Sequence, residues 1–119
     1  MVSPKTKITL SANGKTMTAT LVDNVSTEEL IKILPVTIEM TPYGGFEVVG
    51  PLPQSLPISN SRITTEAGDI MLYYGKHLVI FYGSNTWSYT RIGKIDDLSP
   101  AQIKEFIGES NVSVTLSLE

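Results

Sequence analysis

The chain has 119 residues, 41% of them hydrophobic and 18% charged, with a formal net charge of −3. That is one globular domain with a core of its own, and it is not the composition of a disordered segment. The absence of Cys excludes disulfides, thiolate catalysis and Cys-based metal sites. The acidic balance and the scatter of the nine Lys and Arg argue against nucleic acid or an anionic membrane as partner.

In chain order, Lys7 to Ala12 alternates apolar and polar residues, Asn13-Gly14 follows, and Thr16 to Leu21 alternates again. Two alternating runs about Asn-Gly predict a hairpin, because both central residues of a type I′ turn need positive φ. The first seven residues, MVSPKTK, lack the apolar stretch of a signal peptide, and no apolar run reaches bilayer length. The expected compartment is therefore the cytoplasm. Ser26-Thr27-Glu28-Glu29 has the pattern of a capping box and predicts a helix to Leu34, which Pro35 ends.

Val36 to Thr41 alternates as a strand, Pro42-Tyr43-Gly44-Gly45 turns, and Phe46 to Val49 pairs back. Gly50 to Ser61 is rich in Pro, Ser and Leu. Pro cannot donate to a ladder, so this part reads as an irregular excursion or an edge strand. It is either a connection covering one end of a barrel or a functional loop. Ile70 to Tyr74 and Leu78 to Tyr82 form the next strand pair about a turn at Gly75-Lys76-His77. The second strand of that pair is apolar on both faces, as for a strand covered on both sides or bearing a ligand outside. Trp87 to Ile95 gives a further strand. Ser99-Pro100-Ala101-Gln102 starts a second helix, Gly108 stops it, and Val112 to Leu118 is the last strand. The sum is a mainly β single domain over residues 1–119, a closed or nearly closed eight-stranded barrel with two short helices.

No phosphate-cradling loop is present, and one His without Cys leaves no usual zinc ligand set. His77, placed in the predicted turn, reads as an exposed turn residue rather than a catalytic base. Asp96-Asp97 reads as a solvated pair. Six of the nine aromatics lie between Asp69 and Ile95. Phe81, Trp87, Tyr89 and Arg91 can share one face of neighbouring strands. As cross-strand pairs they would stabilise a sheet by roughly 0.2–1 kcal/mol each with no ligand involved. As the lining of a shallow groove they would suit a peptide or a small organic molecule.

Gly68-Asp69, Ile80-Phe81-Tyr82-Gly83 and Arg91-Ile92-Gly93-Lys94-Ile95, with the closing helix and strand, resemble the bacterial cyclophilin-like domain family. The resemblance runs from the Lys7–Leu21 hairpin to the last strand and implies an eight-stranded barrel capped by two helices. Family members are also found joined to, or encoded beside, flavodoxin-like domains. True cyclophilins place a catalytic Arg after Phe-His and follow it with Gln-Gly-Gly-Asp. Here there is no Phe-His-Arg, only Gly68-Asp69 of the later segment, and Arg62 alone at a loosely comparable place. The resemblance thus implies a non-catalytic binding module, without cofactor or metal. Phe81, Tyr82, Trp87, Tyr89 and Arg91, with Arg62, would contact a peptide, a small ligand or a flavodoxin-like protein. The alternatives are a divergent peptidyl-prolyl isomerase with Arg62 as its electrophilic residue, and an auxiliary of a flavodoxin-type redox system.

Overall fold

Asn13 and Gly14 both adopt positive φ, +52° and +75°, and the hairpin forms about them, since glycine lacks a Cβ and asparagine tolerates this conformation. Lys7–Ala12 (β1) pairs antiparallel with Lys15–Leu21 (β2), Ala12 opposite Lys15. The structure is a computed structural model and describes residues 6–107 and 110–119. The helix stop expected at Gly108 falls outside them.

The first helix, Val25–Ile33 (α1), is capped by Asn24 rather than by Ser26. The Thr27 N–H donates to Asn24 Oδ1 at 2.9 Å, and the Asn24 N–H donates to Thr27 Oγ1 at 3.1 Å. Asn and Ser are comparable caps, so tertiary contacts decide. Asn24 Nδ2 also donates to the Arg91 carbonyl at 2.7 Å, while the Ser26 hydroxyl is buried and donates to the Pro57 carbonyl. Leu34, joined to Pro35 by a cis bond, follows the last turn.

Val36–Tyr43 (β3) and Glu47–Pro51 (β4) are joined through Gly44 and Gly45, both at positive φ. Ser61–Thr64 (β5) is a strand that the sequence pattern did not single out. Asp69–Tyr73 (β6), His77–Phe81 (β7), Thr86–Ile95 (β8), Pro100–Ile107 (α2) and Val112–Leu118 (β9) complete the order. The second capping box is as expected: the Gln102 N–H donates to Ser99 Oγ, and the Ser99 N–H to Gln102 Oε1. Among the described residues no helix is long and apolar enough to cross a membrane.

The strands run β2-β1-β9-β3-β4-β7-β6-β8, and β2 then pairs with β8 to close an eight-stranded antiparallel barrel. Closure brings Gly93 so near that a Cβ there would lie 2.4 Å from the Thr20 carbonyl oxygen. The ninth strand, β5, lies outside the ring and pairs only with the Thr86–Tyr89 end of β8. Inside the barrel Ile8, Leu10, Ile38, Ile70, Leu78 and Leu116 form the core. Leu30 of α1 and Ile103, Phe106 and Ile107 of α2 join it. The Pro-rich connection is a cover: Leu52 and Leu56 are buried in the same core, and their N–H groups donate to the carbonyls of Lys76 and Gly75.

Candidate functional site

Side chains alternate across a strand, so on β7 Leu78 and Ile80 point into the barrel while Val79 and Phe81 point out. Both outward residues are nonetheless buried. They belong to a second apolar cluster, formed with Met71 and Tyr89 and flanked by Phe46, Val49, Ile63 and Tyr73. Its origin is the length of β8. Residues Thr90 to Lys94 pair with β6, but Thr86 to Tyr89 run on and pair with β5. This two-stranded extension packs Tyr89 and Ile63 against the outer wall. Phe81 meets Tyr89 edge-on with ring centres 5.5 Å apart, Phe46 stacks parallel to Phe81 at 6.3 Å, and Tyr73 lies 6.3 Å from Tyr89.

The β6–β8 register slips between Ile70, opposite Gly93, and Met71, opposite Arg91. Ile92 is the extra residue and stays in the core, while the bulge turns Arg91 outward beside the cluster. There Arg91 Nη1 donates to Asp69 Oδ1 at 3.2 Å, and the other carboxylate oxygen of Asp69 accepts the Glu66 N–H at 2.9 Å. The Asp69 side chain is almost wholly buried, so this ion pair is the fixed polar border of the apolar cluster.

Glu47 lies within the same wall. It stands opposite Phe81 in the β4–β7 ladder and opposite Tyr43 in the β3–β4 ladder, which puts its side chain on the outer face. It is 6% exposed and has no hydrogen-bond or ionic partner among the described residues. Burial pushes its carboxyl up to about 7. Burial likewise holds the Tyr89 phenol above its ordinary value; the hydrogen bond from Asn85 opposes that rise and the Glu47 charge adds to it. Among the described residues, His77 Nδ1 is the sole fully buried side-chain nitrogen or oxygen without a partner. The unpartnered oxygens of Glu47 are thus short of full burial, on the outer side of the wall.

The residues expected to form a site are brought together in part. Phe81 and Tyr89 share the outer cluster, and Arg91 borders it. Trp87, opposite Ile63, is 49% exposed at the edge of the β5–β8 extension. Arg62 is exposed opposite Ser88, on the other face of β5 from Ile63. Tyr82 points elsewhere: it packs against the main core beneath Lys104, whose Nζ is 5.9 Å from its ring centre. With Pro42, Tyr43, Gly44, Gly45 and Lys104 it lines a separate concavity of about 310 Å³.

Two expectations are corrected. His77 is no exposed turn residue: the turn is Tyr74-Gly75-Lys76, and His77 is the half-buried first residue of β7, paired with Tyr73. Asp96 is not simply solvated, since it accepts from Lys7 Nζ at 2.7 Å and from Thr20 Oγ1 at 2.8 Å. Glu47, Phe46 and Tyr73 were not foreseen. The available signal was the doubly apolar β7, whose outward residues had to be covered by neighbours on β4, β6 and β8.

Among the described residues no three His, Asp or Glu side chains gather as a metal site. No curated protein matches the chain. The sequence profile of the Cyclophilin-like family matches residues 10–119, from the second half of β1 through β9. With the closed eight-stranded barrel and its two helices, that match shows that the chain belongs to the cyclophilin-like family.

Proposed function

We propose that this chain is a non-catalytic cyclophilin-like binding module that holds a peptide segment or small organic ligand on the outer barrel face around Phe81, Tyr89 and Arg91. The observation that carries this reading is an apolar cluster outside the barrel whose floor is covered but whose rim is not. Tyr43 is 65% exposed, Tyr74 71% and Trp87 49%. Tyr43 stands opposite Glu47, Tyr74 lies against Tyr73 with ring centres 4.3 Å apart and planes tilted by 46°, and Trp87 stands opposite Ile63. Aromatic rims around an apolar floor bury a ligand's surface while keeping their polar tips wet.

An isomerase would need a cation over the apolar floor to meet the substrate carbonyl. Arg62 alternates away from that floor, and Arg91 is engaged by Asp69. A flavodoxin-like partner is tested in the same experiment as a peptide. Trp87 is the only Trp, so its emission reports on the rim directly. Capped tripeptides of apolar, aromatic, proline-containing and basic sequence, and separately a flavodoxin-like protein, are titrated into the chain. At least one should change Trp87 emission saturably and move the amide resonances of Val79, Phe81 and Tyr89. A full set of titrations that leaves those resonances still would overturn the reading.

A further inference from the structure

Glu47 is ill suited to a purely structural role. Two residues on, the same face of β4 carries Val49, which fills its place with no polar atom to satisfy. A carboxyl sunk in an apolar wall without a partner is a costly choice for a strand position, and such groups gather at functional sites. The ring lining matters equally. Phe46 and Phe81 stack with planes 6° apart, and Tyr89 presents its edge to Phe81. A carboxylate beside aromatic rings is the combination that attracts an ammonium or guanidinium ion, through charge-assisted hydrogen bonds and cation–π attraction.

Among the described residues no cation pairs with Glu47. The groups facing Glu47 are Tyr43 from β3, Phe81 from β7 and Tyr89 from β8. β6 contributes Asp69, whose charge is met by Arg91. His77 lies at the far end of β7, opposite Pro51. The niche therefore offers two acceptor oxygens that are short of full burial and, among the described residues, no cation of its own.

We propose that Glu47 anchors a cation subsite on the outer face, receiving a ligand's ammonium or guanidinium group at the rim of the aromatic cluster, beside the half-buried Phe46 ring. The inference rests on the outer face being the binding surface and names the chemistry it selects. The cation comes either from a basic side chain of a peptide or from a free alkylamine. Bringing a cation against this carboxyl draws off its proton, so binding releases a proton below neutrality and tightens as pH rises. For a carboxyl near 7, affinity at about pH 5.5 is roughly thirtyfold weaker than at about pH 8.

The test is calorimetry and amide-shift mapping on the whole chain with N-acetyl-argininamide, its neutral isostere N-acetyl-citrullinamide, and butylammonium. Glu47→Gln, which keeps the shape and removes the charge, is measured beside the wild type, with thermal melts confirming that it is folded. At about pH 8 at least one cation should bind the wild type at least tenfold more tightly than the citrulline compound. Glu47→Gln should erase that margin, and the arginine compound and butylammonium rank the two sources of the cation. Equal binding of arginine and citrulline compounds at Phe81 and Tyr89 would overturn the cation subsite and leave the binding surface standing. No movement of those resonances with any of the three would overturn the subsite; movement with the neutral tripeptides would show that the surface itself survives.

Discussion

Glu47 destabilises the fold that holds it. Its carboxyl titrates near 7 in the folded chain, against an ordinary value of 4.5. The native state thus binds this proton more tightly than the unfolded chain does. Its contribution is fully present below about pH 4.5, is lost as pH rises through 7, and the loss amounts to about 3 kcal/mol. Asp96 acts with the opposite sign. Burial raises it, but the hydrogen bonds from Lys7 and Thr20 outweigh burial and hold it below its ordinary value, so its stabilisation is lost as pH falls. Glu47→Gln should remove the alkaline decline alone, raising stability in urea unfolding by up to about 3 kcal/mol at about pH 8 and by little near pH 4.5. Equal pH profiles for variant and wild type would contradict this. The burial of Glu47 was not legible in the sequence. Alternation through Phe46-Glu47-Val48-Val49 sorts the residues onto two faces, but only the β8 extension shows that the face bearing Glu47 is covered. Tyr82 misled for a similar reason: it stands next to Phe81 in sequence and packs toward the main core.

At the scale of elements, the outer cluster exists because β8 is ten residues long and its first part pairs with β5 outside the ring. The long strand was visible in the alternation of Trp87 to Arg91. Its four-residue partner was not, because Ser-Arg-Ile-Thr has a single apolar side chain and follows a Pro-rich stretch. Ile63 is the residue that fastens β5 to the outer cluster. Ile63→Ala should cost about 1–2 kcal/mol for a half-buried side chain. It should also speed amide exchange in β5 and shift Trp87 emission to the red while leaving exchange in β1 and β9 unchanged. A uniform loss of protection across the barrel would show instead that β5 is part of one cooperative unit with the core. The helices were legible in existence and partly in detail. Ser99 caps α2 as its sequence implies, whereas at α1 the bond from Asn24 to the Arg91 carbonyl places the cap two residues nearer the N-terminus than Ser26.

At the scale of the molecule, the barrel was legible because its strands alternate cleanly and leave edges that only closure can pair. The closing pair, β2 with β8, was not, since no local signal joins residues so far apart in sequence. Gly93 is where closure is most demanding. Gly93→Ala would press a methyl group against the Thr20 carbonyl. Overpacking of this kind costs about 1–3 kcal/mol, and here it should lower the melting temperature and expose the Thr20 and Leu21 amides to exchange. An unchanged melt would mean that the seam gives way without loss. Family membership fixes this framework; on the proposed reading, ligand choice lies in the residues that clothe its outer face.

The most direct measurement is the carbon-13 titration of the Glu47 carboxyl, alone and with saturating N-acetyl-argininamide. A carboxyl held in an apolar niche and open to a cation should titrate with a midpoint of about 7 when free and markedly lower with the guanidinium present. A free midpoint at the ordinary carboxylate value, unmoved by the probe, would contradict both the niche and its ligand.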